Sequence, residues 1–170
     1  MTSLRPNPQA DSGFQPPHAL FLQGPAGRIF TLHYPSSPTM PVHLIVPPFG
    51  EEMNRCRKFM NDLGRAYQAH GHGALILDLY GTGESDGAFK DANWDIWLKD
   101  IEAAKEYLRD SGHNILHITA IRLGALLALE SKGGIEKIGL IAPEPNGKRF
   151  IHQLIRARPV SYTHLRAHET

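Results

Sequence analysis

The stretch ITAIRLGALLALE, residues 118–130, constrains this chain more than any other. An apolar run containing β-branched residues passes directly into a run of helix formers, with only Arg122, Leu123 and Gly124 at the join. A strand that turns this sharply into a helix suits a crossover connection, in which the helix covers the sheet before the next parallel strand begins. The small residues Ala120, Gly124 and Ala125 leave room for the turn, and Arg122 stands at its tip.

The same alternation recurs along the chain. Residues 19–35, ALFLQGPAGRIFTLHYP, read as a hairpin around Gly24-Pro25-Ala26-Gly27. Val42–Val46 and Ala74–Tyr80 are short, nearly continuous apolar runs, the pattern of strands buried on both faces. Between them a helix is predicted from about Glu51 to Gln68, with Met53, Cys56, Phe59 or Met60, Leu63 and Tyr67 on one face and Glu51 and Glu52 in its first turn. Trp97, Ile101, Ala104 and Leu108 give a second helix. Asn114–Thr119 is a third buried strand feeding the helix 125–131, Ile135–Ala142 a fourth, and a basic helix ends near Arg158. The expectation is an α/β protein with a mostly parallel sheet and helices on both faces. Cys56, Trp94 and Trp97 read as packing residues.

Composition excludes several functions. The net charge of +1 names no polyanionic partner, and the basic clusters NRCRK and GKRFIHQLIRAR read as solvated helix faces, so nucleic-acid binding is not expected. A single cysteine allows no internal disulfide, and no run is long and apolar enough for a membrane span. The first 18 residues read as a flexible tail without a signal-peptide core, which makes the cytoplasm the default location. No metal or cofactor is called for.

Gly83-Glu84-Ser85-Asp86-Gly87 matches the G-x-S-x-G pattern of a serine hydrolase nucleophile. The chemistry requires more than the pattern: strand, tight turn and helix must be contiguous so that the nucleophile stands at the tip. Five residues, Tyr80–Glu84, separate Ser85 from Leu79, and Asp86–Asn93 intervene before the next helix. Ser85 therefore reads as part of a glycine-rich loop. The segment with the required architecture presents Arg122, whose guanidinium stays protonated and is no nucleophile.

The order of hairpin, VPPFGEEMNR, DLYGTGESDG and AIRLGALLALE resembles the α/β-hydrolase fold. More narrowly, PPFGEEMN, DLYGTGESDG, IRLGALLA and GKRF-x-x-x-L-I-R resemble the exosortase A system-associated hydrolase 2 family across about residues 20–158. The resemblance implies an ester or acyl hydrolase of bacterial loci for exopolysaccharide synthesis and protein sorting, with arginine at the elbow in place of serine. It also implies a small-molecule, saccharide or lipid-linked ligand.

On that template Phe49 and Leu123 are the oxyanion-hole candidates, since their backbone N–H groups stand after the third strand and after the elbow residue. PPFG is equally readable as a stiff strand exit. Pro48, Gly50, Glu51, Tyr80, Ser85, Arg122 and Glu144 are the pocket candidates. Glu144 reads as an alternative acid or as a loop carboxylate. Arg122 either holds an anionic ligand group at a helix N-terminus or pairs with Glu51, Glu84 or Asp86 and plugs the site. His70-Gly71-His72 suits a metal or, better, a glycine-terminated helix. None of the ten histidines stands where a catalytic histidine is expected.

Pro159–Thr170 continues neither helix nor fold and reads as a non-native tail. The domain then spans residues 19–158, with the last strands, the catalytic acid and the histidine expected beyond it. His164 and His168 carry no weight. Two functions remain: a hydrolase working without an elbow serine, or a non-catalytic protein that binds an anionic ligand or partner in the same pocket.

Overall fold

The computed structural model describes residues 15–149 and His152. Its strands are β1 (His18–Gln23), β2 (Arg28–Tyr34), β3 (Val42–Val46), β4 (Gly73–Leu77), β5 (Leu116–Ile121) and β6 (Lys137–Ile141); its α-helices are α1 (Glu51–Ala69), α2 (Trp94–Asp110) and α3 (Gly124–Glu130). They form one six-stranded sheet in the order β1-β2-β4-β3-β5-β6. β1 and β2 run antiparallel to each other, and β2 runs antiparallel to β4, whereas β4, β3, β5 and β6 are mutually parallel.

The two-residue side-chain period of the strands divides the core. Val42, Leu44, Val46, Leu75, Leu77, Leu116, Ile118 and Ala120 face α2 and α3. Ile45, Ala74, Ile76 and Ile121 face α1, where Met53 and Met60 meet them. Each of the valine, leucine, isoleucine and methionine side chains removed from water contributes roughly 1.5–3 kcal/mol. Cys56 packs against the α1 layer, Trp97 is buried in the other, and Trp94 packs at its margin. Asn93 caps α2, its side chain accepting from the Ile96 N–H at 3.0 Å. The buried Lys105 donates to the Ser131 and Gly133 carbonyls at 2.8 and 3.0 Å, satisfying the end of α3.

Three expectations are corrected. β4 stops at Leu77, because the chain turns out of the ladder through the hydrogen-bonded loop at Asp78. β5 runs on to Ile121, pairing with Ile141, whereas the sequence pattern ended it at Thr119. β6 is a five-residue strand of mixed exposure and not a buried one. It pairs only with β5 among the described residues, and Leu140 is 39% exposed. The predicted N-terminal tail overlaps β1 at His18; its first 14 residues, the end of the basic helix and the tail from Pro159 lie outside the described residues.

Candidate functional site

The carboxyl ends of β3, β5 and β6 meet at the elbow. Arg122 takes φ 54°, a left-handed conformation that costs a residue with a Cβ of order 1–3 kcal/mol. The strain accompanies a close crossing: a Cβ on Gly124 would lie 2.5 Å from the Pro47 carbonyl oxygen. Only glycine lets α3 start directly beneath the exit of β3. The strand–turn–helix read from residues 118–130 is therefore present, with Arg122 at its tip.

The guanidinium does not pair with the carboxylates expected for it. Glu51 faces Arg55 at 3.7 Å, Asp86 binds Arg28 at 3.2 Å, and the Glu84 side chain borders a cleft described below. Instead Nε of Arg122 stands 3.4 Å from Glu52 Oε1, and Nη2 stands 3.8 Å from Glu144 Oε2. Nη1 donates to the Ala142 carbonyl at 3.3 Å. Backbone bonds reinforce the arrangement: Arg122 N–H donates to Ile141 O at 3.0 Å, and Glu144 N–H donates to Arg122 O at 3.1 Å. Arg122 thus joins the first turn of α1 to the exit of β6. The other Glu52 oxygen, Oε2, is buried and has no partner among the described residues.

Glu52 was visible in the sequence only as a first-turn acid. A better signal was its phase, since Glu52, Cys56 and Met60 recur every four residues and point one stripe of α1 toward the sheet. Phe49 and Leu123 are both buried, and neither backbone N–H has a hydrogen-bond acceptor among the described residues. Pro48 is buried beside them.

Ser85 occupies a different place. Its Oγ donates to the Asp78 carbonyl at 2.6 Å and accepts from the Phe30 N–H at 2.8 Å. The hydroxyl is a tie between the glycine loop and β2. The Asp78 carboxylate, 1% exposed, is the loop's centre: Arg57 binds it through Nη1 and Nη2 at 3.1 and 2.9 Å, and the Glu84 N–H donates to Oδ2 at 3.0 Å. Gly83, at φ 52°, is required there, since a Cβ would lie 2.0 Å from that oxygen. Tyr80 closes the loop, its N–H donating to Asp100 Oδ2 at 2.8 Å and its ring lying against Gly87. Sequence reasoning missed Arg57 and Asp78 because they are 21 residues apart and only the fold pairs them.

An open cleft of about 480 Å³ lies between α1 and this loop, with Gly50, Glu51 and Arg57 on one side and Thr82, Glu84 and Phe89 on the other. Of the predicted pocket residues, Gly50 and Glu51 border it, while Pro48, Tyr80, Ser85, Arg122 and Glu144 do not. Among the described residues no group of three or more His, Cys, Asp or Glu side chains is arranged to hold a metal ion. His70 and His72 flank the end of α1, and His70 Nδ1 lies 2.8 Å from the Ala66 carbonyl. No described α-helix is long and apolar enough to cross a membrane.

No family model matches the sequence, and no curated protein is significantly similar to it. Solved structures do match in fold. A serine hydrolase without a lid from Xanthomonas campestris matches with a TM-score of 0.65 at 23% identity, over 84% of this chain and 66% of its own. An alpha-beta serine hydrolase homologue from Coxiella burnetii matches with a TM-score of 0.67 at 15% identity, over 81% and 68%. A protein of unknown function from Agrobacterium tumefaciens matches with a TM-score of 0.66 at 22% identity, over 79% and 65%. The chain has the α/β-hydrolase fold, and it spans about two thirds of the length of these structures.

Proposed function

We propose that this protein is an ester or acyl hydrolase that works without an elbow serine and serves bacterial exopolysaccharide and exosortase loci. The observation that carries the reading is the strained Arg122 elbow beside two backbone N–H groups, those of Phe49 and Leu123, that have no acceptor among the described residues. Such donors suit the oxygen that becomes negative when a carbonyl is attacked. The attacking group is water or a carboxylate, because Arg122 has no nucleophilic form and the Ser85 hydroxyl is committed to Asp78 and Phe30. The resemblance of the four sequence motifs supports the setting, with a small-molecule, saccharide or lipid-linked substrate.

A second reading has its own support. Arg122 already holds Glu52 and Glu144, an arrangement that suits a non-catalytic protein whose anionic ligand or partner displaces one of them. Purified protein offered p-nitrophenyl acetate and butyrate distinguishes the two. Turnover that disappears in Arg122→Ala at unchanged melting temperature supports the hydrolase. Absent turnover favours the binding protein, and turnover abolished by Ser85→Ala alone would overturn both.

A further inference from the structure

The opposite edge of the sheet carries a second side-chain cluster that plays no part in the proposed reaction. His43 lies near the amino end of β3, beside His117 on β5 in register, and both project to the α1 side. The His43 ring stacks flat on Tyr67 of α1, with centroids 3.6 Å apart and planes 9° apart. Its Nε2 stands 3.0 Å from Nδ1 of His72, in the link between α1 and β4. The Tyr67 hydroxyl bonds Thr119 Oγ1 at 2.8 Å, and that oxygen stands 3.5 Å from His43 Nδ1. The His117 ring meets His43 edge-on at 4.9 Å.

A bond between two imidazole nitrogens admits one proton. One ring donates and the other accepts, so both must be neutral or share a single charge. Once each ring carries two N–H groups, two donors and two positive charges confront each other. His43 and His117 are largely buried, 9% and 6% exposed, while His72 is half-buried at the adjoining cavity. The charged groups around the cluster do not neutralise it. His70 lies across the adjoining cavity, and Glu136 and Lys137 act on His117 with opposite signs. Burial and the neighbouring histidines hold His43 down to about 4, so it stays neutral while the fold is closed.

We propose that His43, His72 and Tyr67 form a proton-operated latch: in its neutral state it fastens the C-terminal turns of α1 to the sheet, and the binding of acid protons releases them. The release point is the cavity of about 460 Å³ already bordered by His43, Leu63, Tyr67 and His72, which widens as Tyr67 leaves His43. Because opening is coupled to proton uptake, the open population rises about tenfold per pH unit below 6.5 for each proton taken up.

Hydrogen exchange across residues 63–73, corrected for intrinsic chemical rates, tests the latch. In the wild-type protein, exchange in this segment rises at least about tenfold between pH 7 and pH 5 relative to α2, consistent with that coupling. His72→Gln keeps a side chain able to hydrogen-bond His43 but removes the imidazole–imidazole pair, and flattens the dependence while leaving exchange at pH 7 unchanged. An NMR titration of the wild-type rings serves as a second measurement that needs no variant, with His43 expected to take its proton together with the segment's opening. Protection of residues 63–73 that is equal at both pH values, or a His72→Gln protein that opens as steeply as wild type, overturns the latch.

Discussion

The two edges of the parallel sheet are built from different chemistry. At the carboxyl edge, Arg57 with Asp78, Arg122 with Glu52 and Glu144, and Arg28 with Asp86 are opposite fixed charges, held by hydrogen bonds and ion pairs. At the amino edge lie His33, His43, His72, His113 and His117, grouped against tyrosines and against one another. Guanidinium–carboxylate pairs keep their charge across the physiological range, whereas imidazoles change theirs within it. The lesson is that one edge can hold a constant electrostatic field while the other responds to acid, although the same strands run through both.

The largest test of that contrast is pH. Burial holds both His33 and His43 at about 4, against 6.5 in an unfolded chain. Between those values the unfolded chain binds protons that the folded one refuses, so their stabilisation is present above 6.5 and is lost as pH falls toward 4. Two such groups remove about 3 kcal/mol between pH 6.5 and pH 5, since each reaches the full slope of about 1.4 kcal/mol per unit only well below 6.5. Asp100 opposes them: burial raises its carboxyl to about 6 from 3.8, so the folded state gains stability as pH falls through 6. That offset is about 1 kcal/mol by pH 5. Urea unfolding at several pH values should therefore show a net loss of about 2 kcal/mol over this window. A flat profile would mean that the amino edge is no more acid-sensitive than the carboxyl edge.

At the carboxyl edge, Asp78→Ala should cost a similar amount, about 2–3 kcal/mol, because it strands the Arg57 guanidinium and the Glu84 N–H around an empty position. Gly124→Ala follows at about 2 kcal/mol, since the added methyl must displace the β3 exit to clear the Pro47 carbonyl. Thermal melts monitored by circular dichroism measure both. An unchanged Gly124→Ala protein would show that the elbow has slack which the close approach denies.

The sequence disclosed the frame better than the charges. The apolar periods at Val42–Val46 and Ala74–Leu77, the helical spacing from Trp97 to Leu108, and the abrupt join at Arg122 each report a local requirement, and the elements formed there. Whether an apolar strand is central or at an edge depends on what lies beside it, so the run at Ile135–Ala142 gave no warning of β6's exposure. Ion-pair partners are longer-range still. Glu51 and Glu52 are neighbours in sequence, yet a 100° step around the helix sends one toward Arg55 in solvent and the other toward Arg122. The G-x-S-x-G match failed for the same reason. Residues 83–87 fit the pattern, but the serine's neighbours in space are Asp78 and Phe30.

Ser85→Ala accordingly has a smaller predicted effect than Gly124→Ala. It removes one accepted and one donated hydrogen bond and leaves the Phe30 N–H unpaired, a loss of about 1–2 kcal/mol. Any ester turnover should persist. Chemical labelling of Ser85 by a fluorophosphonate, lost in the variant, would contradict the assignment of this hydroxyl as a structural tie.

Arg122 carries the smallest expected change, because two terms oppose each other. Its ion pairs are about one-third exposed, so a double-mutant cycle between Arg122→Ala and Glu52→Gln should give a coupling of no more than about 1 kcal/mol. Its φ of 54° contributes strain of the opposite sign, which alanine retains and glycine relieves. Arg122→Gly should therefore be more stable than Arg122→Ala, by about 1 kcal/mol, although both lose the same side-chain contacts. The difference in their urea midpoints isolates the backbone strain from the ion pair. If alanine equals glycine, the elbow is unstrained, and the positive φ at Arg122 reflects only the pull of Glu52, Glu144 and the Ala142 carbonyl on its side chain. If glycine is the more stable, the strain belongs to the turn itself, and the sharp join between β5 and α3 is maintained against a standing cost for whatever Arg122 holds there.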